Sequence, residues 1–439
     1  MRQEGSFLGV FRRMKISHKC TRAMPILNAG PHVTLLCVAR YAGRRRERGA
    51  KYLHSHSSFN IRYSMFICYC AVVLLWSLFG PVCLAVDAGP IDGVREKPVL
   101  AEEDFAIIEQ FIGGAVEEVV DTEDFTQVAR LRAAIVTRQS TQAQYAEQYS
   151  KFLRKSIGEA LAKTEGIEDG ARRHRVRVNL LILVAELENP RLIDIALGAL
   201  EDRDRSVQYW AVRGLTRSKL IEKAGTAPDN SAVIDGIAAR FEGMVETAAP
   251  EIVSIMADFC GSADSRRGDE LLLKIADARI KEYAEWRTAS AGGLIDVKVL
   301  KLLYDKLIAG GEKGDEFSTG RLAAGQRFGQ LYSYALQKYV MALQQKDLLD
   351  AEQKERLASV LVETEDKCIG KLTGLQQGVI KRAVELDDYN MLINERGRLF
   401  GDATRRGEIP QKFGFDYGVA EDGSRLTAPR DLPQRPGAS

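Results

Sequence analysis

Histidine and cysteine are almost missing from most of this chain. Four of five histidines (His18, His32, His54, His56) and five of seven cysteines (Cys20, Cys37, Cys68, Cys70, Cys83) fall within the first 85 residues. Only His174, Cys260 and Cys368 remain for everything that follows. A structural zinc site takes four Cys or His ligands and a catalytic one usually three protein ligands, so this inventory argues against both. It also weakens any Ser-His-Asp or Cys-His triad, because His174 would have to serve. His174 sits among Arg172, Arg173 and Arg175, where repulsion disfavours an imidazolium, and it reads as a surface or helix-end residue. Cys260 and Cys368 lie 108 positions apart, which leaves a disulfide between them open. Phosphate loops are lacking too. Gly310, Gly311, Lys313 and Gly314 do not have P-loop spacing and read as a flexible connector. No cofactor and no catalytic residue is assigned.

Strand signals are equally scarce, with no convincing period-2 run bounded by hairpin turns. Long apolar runs are absent except for one, residues 65–85, MFICYCAVVLLWSLFGPVCLA. That run carries no charge and follows a segment rich in arginine, including Arg44, Arg45, Arg46, Arg48 and Arg62. Its length, its positive flank and the small residues Ala85 and Ala88 predict a cleaved export signal, with Gly80-Pro81 near the end of the core. Two readings compete. An uncleaved anchor would leave the C-terminal body outside, and a buried core helix would be expected to show a polar face, which is missing here. Either membrane reading makes the body extracytoplasmic, periplasmic or secreted. Residues 1–64 show no sustained apolar period and read as a leader or an over-extended start.

Charge separates along the same boundary. The first 85 residues hold 13 Lys+Arg against 2 Asp+Glu, leaving the body with 49 basic and 58 acidic residues, a net charge of −9. A body of that charge is poorly suited to nucleic-acid phosphates, so no nucleic-acid partner is expected.

What is present is helical periodicity. In residues 142–163, Tyr149, Phe152, Leu153, Ile157 and Leu161 recur at spacings of three and four, which makes one apolar stripe. Similar stripes run through residues 233–245, 271–286, 294–308, 322–343, 352–372 and 379–399. The fold class expected is all-α. After residue 406, Pro410, Pro429, Pro433, Pro436 and several glycines interrupt any stripe, which predicts a disordered Pro/Gly-rich tail. Within it Phe413, Phe415 and Tyr417 alternate with Gly414, Asp416 and Gly418, so a short extended piece could instead dock on the helices or on a partner.

Residues 189–215 carry the most specific pattern. Pro190 opens a helix whose buried stripe is Leu192, Ile193, Ala196, Leu197 and Leu200. The acidic turn 201–204 can cap a second helix, whose Val207, Ala211 and Leu215 repeat at four-residue steps and face back on the first. This hairpin resembles a HEAT-like repeat, in which Ala196-Leu197, Ala199-Leu200, Asp202, Asp204, Val207, Ala211 and Leu215 fall at the expected positions, while Gln208 stands where arginine is usual. Val176-Arg177, 31 positions before Val207, supplies a weaker earlier copy. A third is expected through residues 234–260, with Pro250, Ile252, Val253 and Ala257, beyond an insertion at residues 222–231. The resemblance implies a stacked-hairpin solenoid, since one hairpin cannot bury both its faces. The organisation expected is a leader over 1–64, signal or anchor over 65–88, an N-terminal helical segment over 89–165, HEAT-like repeats over 166–290, further helices over 291–404 and the tail over 405–439.

The second helices of such solenoids commonly line the inner surface, as the resemblance implies. On residues 205–215 the side chains opposite Val207 and Ala211 are Tyr209 and Arg213, with Arg205 one turn before and Arg217 beyond. Tyrosine and arginine dominate binding energy at interfaces, so Arg205, Tyr209, Arg213 and Arg217 are the candidate binding residues. The basic run Arg172, Arg173, Arg175 and Arg177 reads as a solvated helix start balanced by Glu168 and Asp169. Two functions remain in view. One is a non-catalytic scaffold that binds a protein or peptide, touching membrane only through an uncleaved 65–85 anchor. The other is an extracytoplasmic hydrolase that attacks a polysaccharide with paired carboxylates. Some bilin lyases use HEAT-like repeats as well, a role that export disfavours.

Overall fold

The computed structural model describes residues 88–225, 230–263, 265–287, 293–309, 319–345, 347–374, 378–419 and 423–435. All belong to the second of two compact units, Cys83–Ser439. The 65–85 run, the 1–64 leader, the 310–314 connector and part of the 222–231 insertion lie outside the described residues.

Among the described residues the chain is all-α, with two isolated β-bridges (Gly401 with Arg406, Val419 with Arg425) and no strand. The N-terminal segment forms α1 (Gly89–Arg95), α2 (Glu102–Asp121), α3 (Phe125–Thr137) and α4 (Ala143–Thr164). Residues 166–290 form α5 (Gly170–Leu187), a 3₁₀ turn (Pro190–Leu192) leading into α6 (Ile193–Ala199), α7 (Arg205–Leu215), α8 (Ser218–Gly225), α9 (Asn230–Met244), α10 (Pro250–Ser262) and α11 (Arg266–Ala284). Then come α12 (Gly293–Ala309), α13 (Thr319–Gln344), α14 (Ala351–Thr364), a π turn (Glu365–Ile369), α15 (Gly370–Thr373), α16 (Val379–Glu385), α17 (Tyr389–Phe400) and α18 (Glu408–Phe413).

Short polar side chains start many of these helices. Asp124, Asp169, Asn189, Asp204, Ser265, Asp350 and Asp388 each accept a hydrogen bond from an amide of the first turn they precede. Each such cap stabilises its helix by about 1 kcal/mol relative to alanine. The helices pack in sequential pairs. Each of several also meets the helix two further on: α2 with α4, α3 with α5, α5 with α7, α9 with α11, α10 with α12, α11 with α13 and α12 with α14. That order is consistent with a helical repeat. The stripes that periodicity predicts are buried: Leu192, Ala196 and Leu200 in the first helix of the hairpin, Val207, Ala211 and Leu215 in the second, Ile252, Val253 and Ala257 in α10.

The C-terminal half departs from its pattern at three places. Residues 379–399 are two helices, because Asp387 adopts a φ of 51° and Asp388 then caps α17. Residues 352–372 contain the π turn, which carries the Glu365 side chain inward. There its two oxygens accept the amides of Ile380 (3.0 Å) and Lys381 (2.8 Å), so a buried carboxylate starts α16. The described part of the tail, third, is docked on the helices. It contains the short helix α18, and Phe413, Phe415 and Tyr417 are all buried. Phe415 and Tyr417 sit against α13 at Gly325 and Gly329, where an added Cβ would come within 2.7 Å and 2.8 Å of their rings. Docking, and not disorder, is the outcome for this stretch, because four-residue glycine spacing leaves a notch that two alternating aromatics fill.

Candidate functional site

The acidic turn before α7 holds its first turn by two routes. Asp204 Oδ1 accepts the amides of Ser206 (2.8 Å) and Val207 (3.4 Å), while Asp202 Oδ1 accepts the amide of Asp204 (2.8 Å). Burial pushes the Asp204 carboxyl up, yet the two amides and the His174 ring outweigh it and hold the group below its usual range. His174 Nδ1 lies 2.6 Å from Asp204 Oδ2, so its surroundings are not only repulsive as the arginine run suggests. Arg177 pairs with Asp202 across consecutive hairpins and with Glu165 at 3.3 Å, and Arg172 and Arg175 reach Asp121 and Glu123. Arg172, Arg175 and Arg177 are therefore balanced by acidic residues of neighbouring elements, whereas Asp169 serves as the α5 cap. Gln208, in place of arginine, donates to the carbonyls of Asp202 (2.8 Å) and Leu200 (3.3 Å) at the end of α6.

Of the four candidate binding residues, the structure gathers two. The Arg213 guanidinium lies over the Trp210 ring (5.8 Å to its centre) and 3.5 Å from the Tyr209 hydroxyl, and Tyr209 meets Trp210 edge-on at 5.5 Å. Tyr209 is half-buried against the core, so it lies less freely on the surface than its position opposite Val207 suggests. Arg205 is exposed at the start of α7. Arg217 stands apart, paired at 3.1 Å with Glu188, which ends α5 with a φ of 48°. Neither Arg205 nor Arg213 has a carboxylate partner among the described residues.

A second polar centre, invisible in the sequence, lies where α11, α12 and α13 meet. Asp296, in the first turn of α12 and fully buried, accepts from Arg279 Nε (2.7 Å), Arg279 Nη2 (3.2 Å) and the Tyr283 hydroxyl (2.8 Å). All three donors belong to α11, and the start of a helix favours the carboxylate further. Lys338 from α13, 3% exposed, lies 5.5 Å over the Tyr283 ring and 5.3 Å over the Trp286 ring. Burial, then the nearby Arg279 and Arg435, bring its ammonium down to about 8, with Asp296 opposing.

The tail crosses beside this centre. Gln330 exchanges two hydrogen bonds with the backbone of Arg430 (2.9 and 3.1 Å), and Gln337 accepts the amide of Leu432 (2.9 Å). The Trp286 indole donates to the Pro433 carbonyl at 2.8 Å, and Arg396 binds Asp431 at 2.7 Å. Pro429 and Leu432 are buried, while the residues between and after them are exposed. The only sequence signal for this track is Gln330 and Gln337, two helical turns apart, and it is faint.

Among the described residues the four fully buried carboxylate side chains are engaged. Asp104 is held by Lys97 and the Ala101 amide, Asp296 as above, Glu365 by two amides and Glu395 by Arg398. A 640 Å³ cavity between α17 and the tail is lined by Arg396, Asp402, Arg405, Arg425, Arg430 and Asp431 among others, a mixed-charge and open wall. The basic cleft of Lys151, Arg154, Lys155 and Arg191 faces Asp194, Glu109 and Glu147, which pair with its last three members. Cys260 and Cys368 are free and buried, and burial lifts both thiols to about 12. Among the described residues no three His, Cys, Asp or Glu side chains converge in a metal-holding group, and no helix is long and apolar enough to cross a membrane. No known protein family, curated protein or solved structure matches this chain.

Proposed function

We propose that this chain is an exported, non-catalytic scaffold of HEAT-like helical hairpins that binds another protein or peptide through the α7 surface. The observation that carries the reading is the Tyr209, Trp210 and Arg213 cluster: two aromatic rings and a cation with no acidic partner among the described residues, side by side on one helix. Such residues bring apolar area and directed donors together, the composition of interface hot spots. Arg205 extends the basic edge, and an acidic or mixed apolar segment is the partner that complements it. Arg217 contributes less, being tied to Glu188.

Support for the repeat comes from Val176 and Val207, 31 positions apart and both buried in helices that pack on each other, and from the Arg177 to Asp202 pair that ties one hairpin to the next turn. Export rests on the 65–85 run, cleaved or retained as an anchor, which makes the scaffold periplasmic or secreted. The alternative, a hydrolase with paired carboxylates, draws no support from buried carboxylates that are each already bonded to cations or amides.

The test is affinity capture with the double variant Tyr209→Ala, Arg213→Ala. Loss of one hot spot costs at least about 2 kcal/mol, roughly a thirtyfold rise in Kd, so captured partners should vanish while circular dichroism shows the double variant still folded and helical, with a modest fall in melting temperature from the packing that Tyr209 loses. Recovery of the same partners by the variant would show that this surface is not the binding site.

A further inference from the structure

The residues that hold the tail contact its backbone more than its side chains. Gln330 takes both the amide and the carbonyl of Arg430, Gln337 takes the amide of Leu432, and Trp286 takes the carbonyl of Pro433. These four bonds would form with any extended segment of the right phase. Two side chains are read as well. Pro429 and Leu432 are buried three residues apart, and three residues is the repeat of a polyproline II helix. Prolines at 429 and 433 hold φ near −65° on either side, as that helix requires. Tyr334 is buried on the same helix as Gln330 and Gln337, near enough to Arg430 and Asp431 to feel their charges, and the Lys338 ammonium lies over the Trp286 ring at the far end of the track. An aromatic side chain whose indole N–H is aimed at a proline carbonyl is the chemistry by which proline-rich segments are recognised.

Trp286 adds an independent sign. Its φ is 58°, a region that bulky side chains rarely enter, and such strain collects at clamps and switch points. Holding that conformation places the indole where it meets both Lys338 and Pro433.

We infer that Trp286, Gln330, Tyr334, Gln337 and Arg396 form a docking track for extended, proline-bracketed peptides of the type Pro-x-Asp-Leu-Pro, and that the chain's own Pro429 to Pro433 segment fills it in cis. A peptide of that type on another protein is the exchanging occupant. Tethering gives the cis segment an effective concentration in the millimolar range, so a free peptide meets an occupied track until the tail is unseated. The surface is distinct from that of α7, and its test is independent of Tyr209 and Arg213.

The probe is a fluorescently labelled synthetic peptide of residues 427–435, followed by fluorescence anisotropy. Three proteins are compared: the full chain, the full chain with Leu432→Asp, and a chain ending at Ala428. The two opened proteins should bind at least tenfold more tightly than the full chain. Adding Gln337→Ala or Trp286→Phe to them should weaken binding at least fivefold, and a control peptide with Pro429→Ala and Leu432→Asp should not bind. Tyr209→Ala with Arg213→Ala should leave peptide binding unchanged. Failure of either opened protein to bind the peptide, equal binding of the control, or loss of folding in both opened proteins would overturn the proposal, the last because the segment would then be a structural strap only.

Discussion

Lys338 is a lysine in a place that lysines avoid, 3% exposed between the rings of Tyr283 and Trp286 with the Arg279 to Asp296 pair nearby. Because burial brings its folded pKa to about 8 from an ordinary 10.5, both states carry the charge below pH 8, and the folded one bears the full desolvation cost. Between pH 8 and 10.5 the unfolded chain keeps the proton that the folded chain has lost, so this residue makes stability rise with pH. The prediction is a difference. Urea unfolding of wild type and Lys338→Met from pH 7 to 10 should show wild type gaining on the variant above pH 8, while the buried thiols and tyrosines affect both alike. A constant gap would mean that Lys338 does not lose its proton in this range. None of this was legible in the sequence, where Lys338 is one polar residue in an apolar stripe. A 3.6-residue period says which side of a helix is buried and is silent about which other helices arrive there.

Helices were the most readable level, and the reasons are local. Asp169, Asn189, Asp204 and Ser265 precede apolar stripes as capping residues do, and the stripe of Val207, Ala211 and Leu215 is buried as its spacing requires. The breaks were less readable. The stripe at 379–399 continues through Leu386 and Asp387 without a proline or glycine, and only the left-handed turn at Asp387 divides it. The π turn was equally hidden, since its purpose is remote: it delivers Glu365 to the amides of Ile380 and Lys381, 15 and 16 residues on. Glu365→Ala strands two amides at a buried helix start. It should cost about 2 kcal/mol, read as a lower urea midpoint with an unchanged slope. A variant as stable as wild type would show that the two amides find other partners.

Across the molecule, the tail is where expectation and structure differ most. Prolines and glycines after residue 406 suggest a chain without partners, yet Phe415 and Tyr417 fill the notch at Gly325 and Gly329 of α13. The hint was present in α13 itself, because glycine inside a helix costs about 1 kcal/mol relative to alanine and tends to mark a close approach. Gly329→Val would place a branched side chain where the Tyr417 ring lies. The tail should lift, tryptic cleavage at Arg425 and Arg430 should quicken severalfold, and stability should fall by about 1 to 3 kcal/mol. Cleavage at the wild-type rate would show that Tyr417 does not depend on this notch.

By itself the sequence determined the helical class, the positions of most helices, the buried stripe of the 189–215 hairpin and the charge difference between basic residues 1–85 and the acidic remainder. Those properties depend on neighbours within a few positions or on summed charge, and the chain carries both openly. Tertiary structure alone decided which side chains from distant helices share a site: Arg279, Asp296 and Lys338 in one buried centre, Trp286, Gln330 and Gln337 along one track, Phe415 and Tyr417 in one notch. Contacts between residues tens to a hundred positions apart follow from how whole helices pack, and no local period records that.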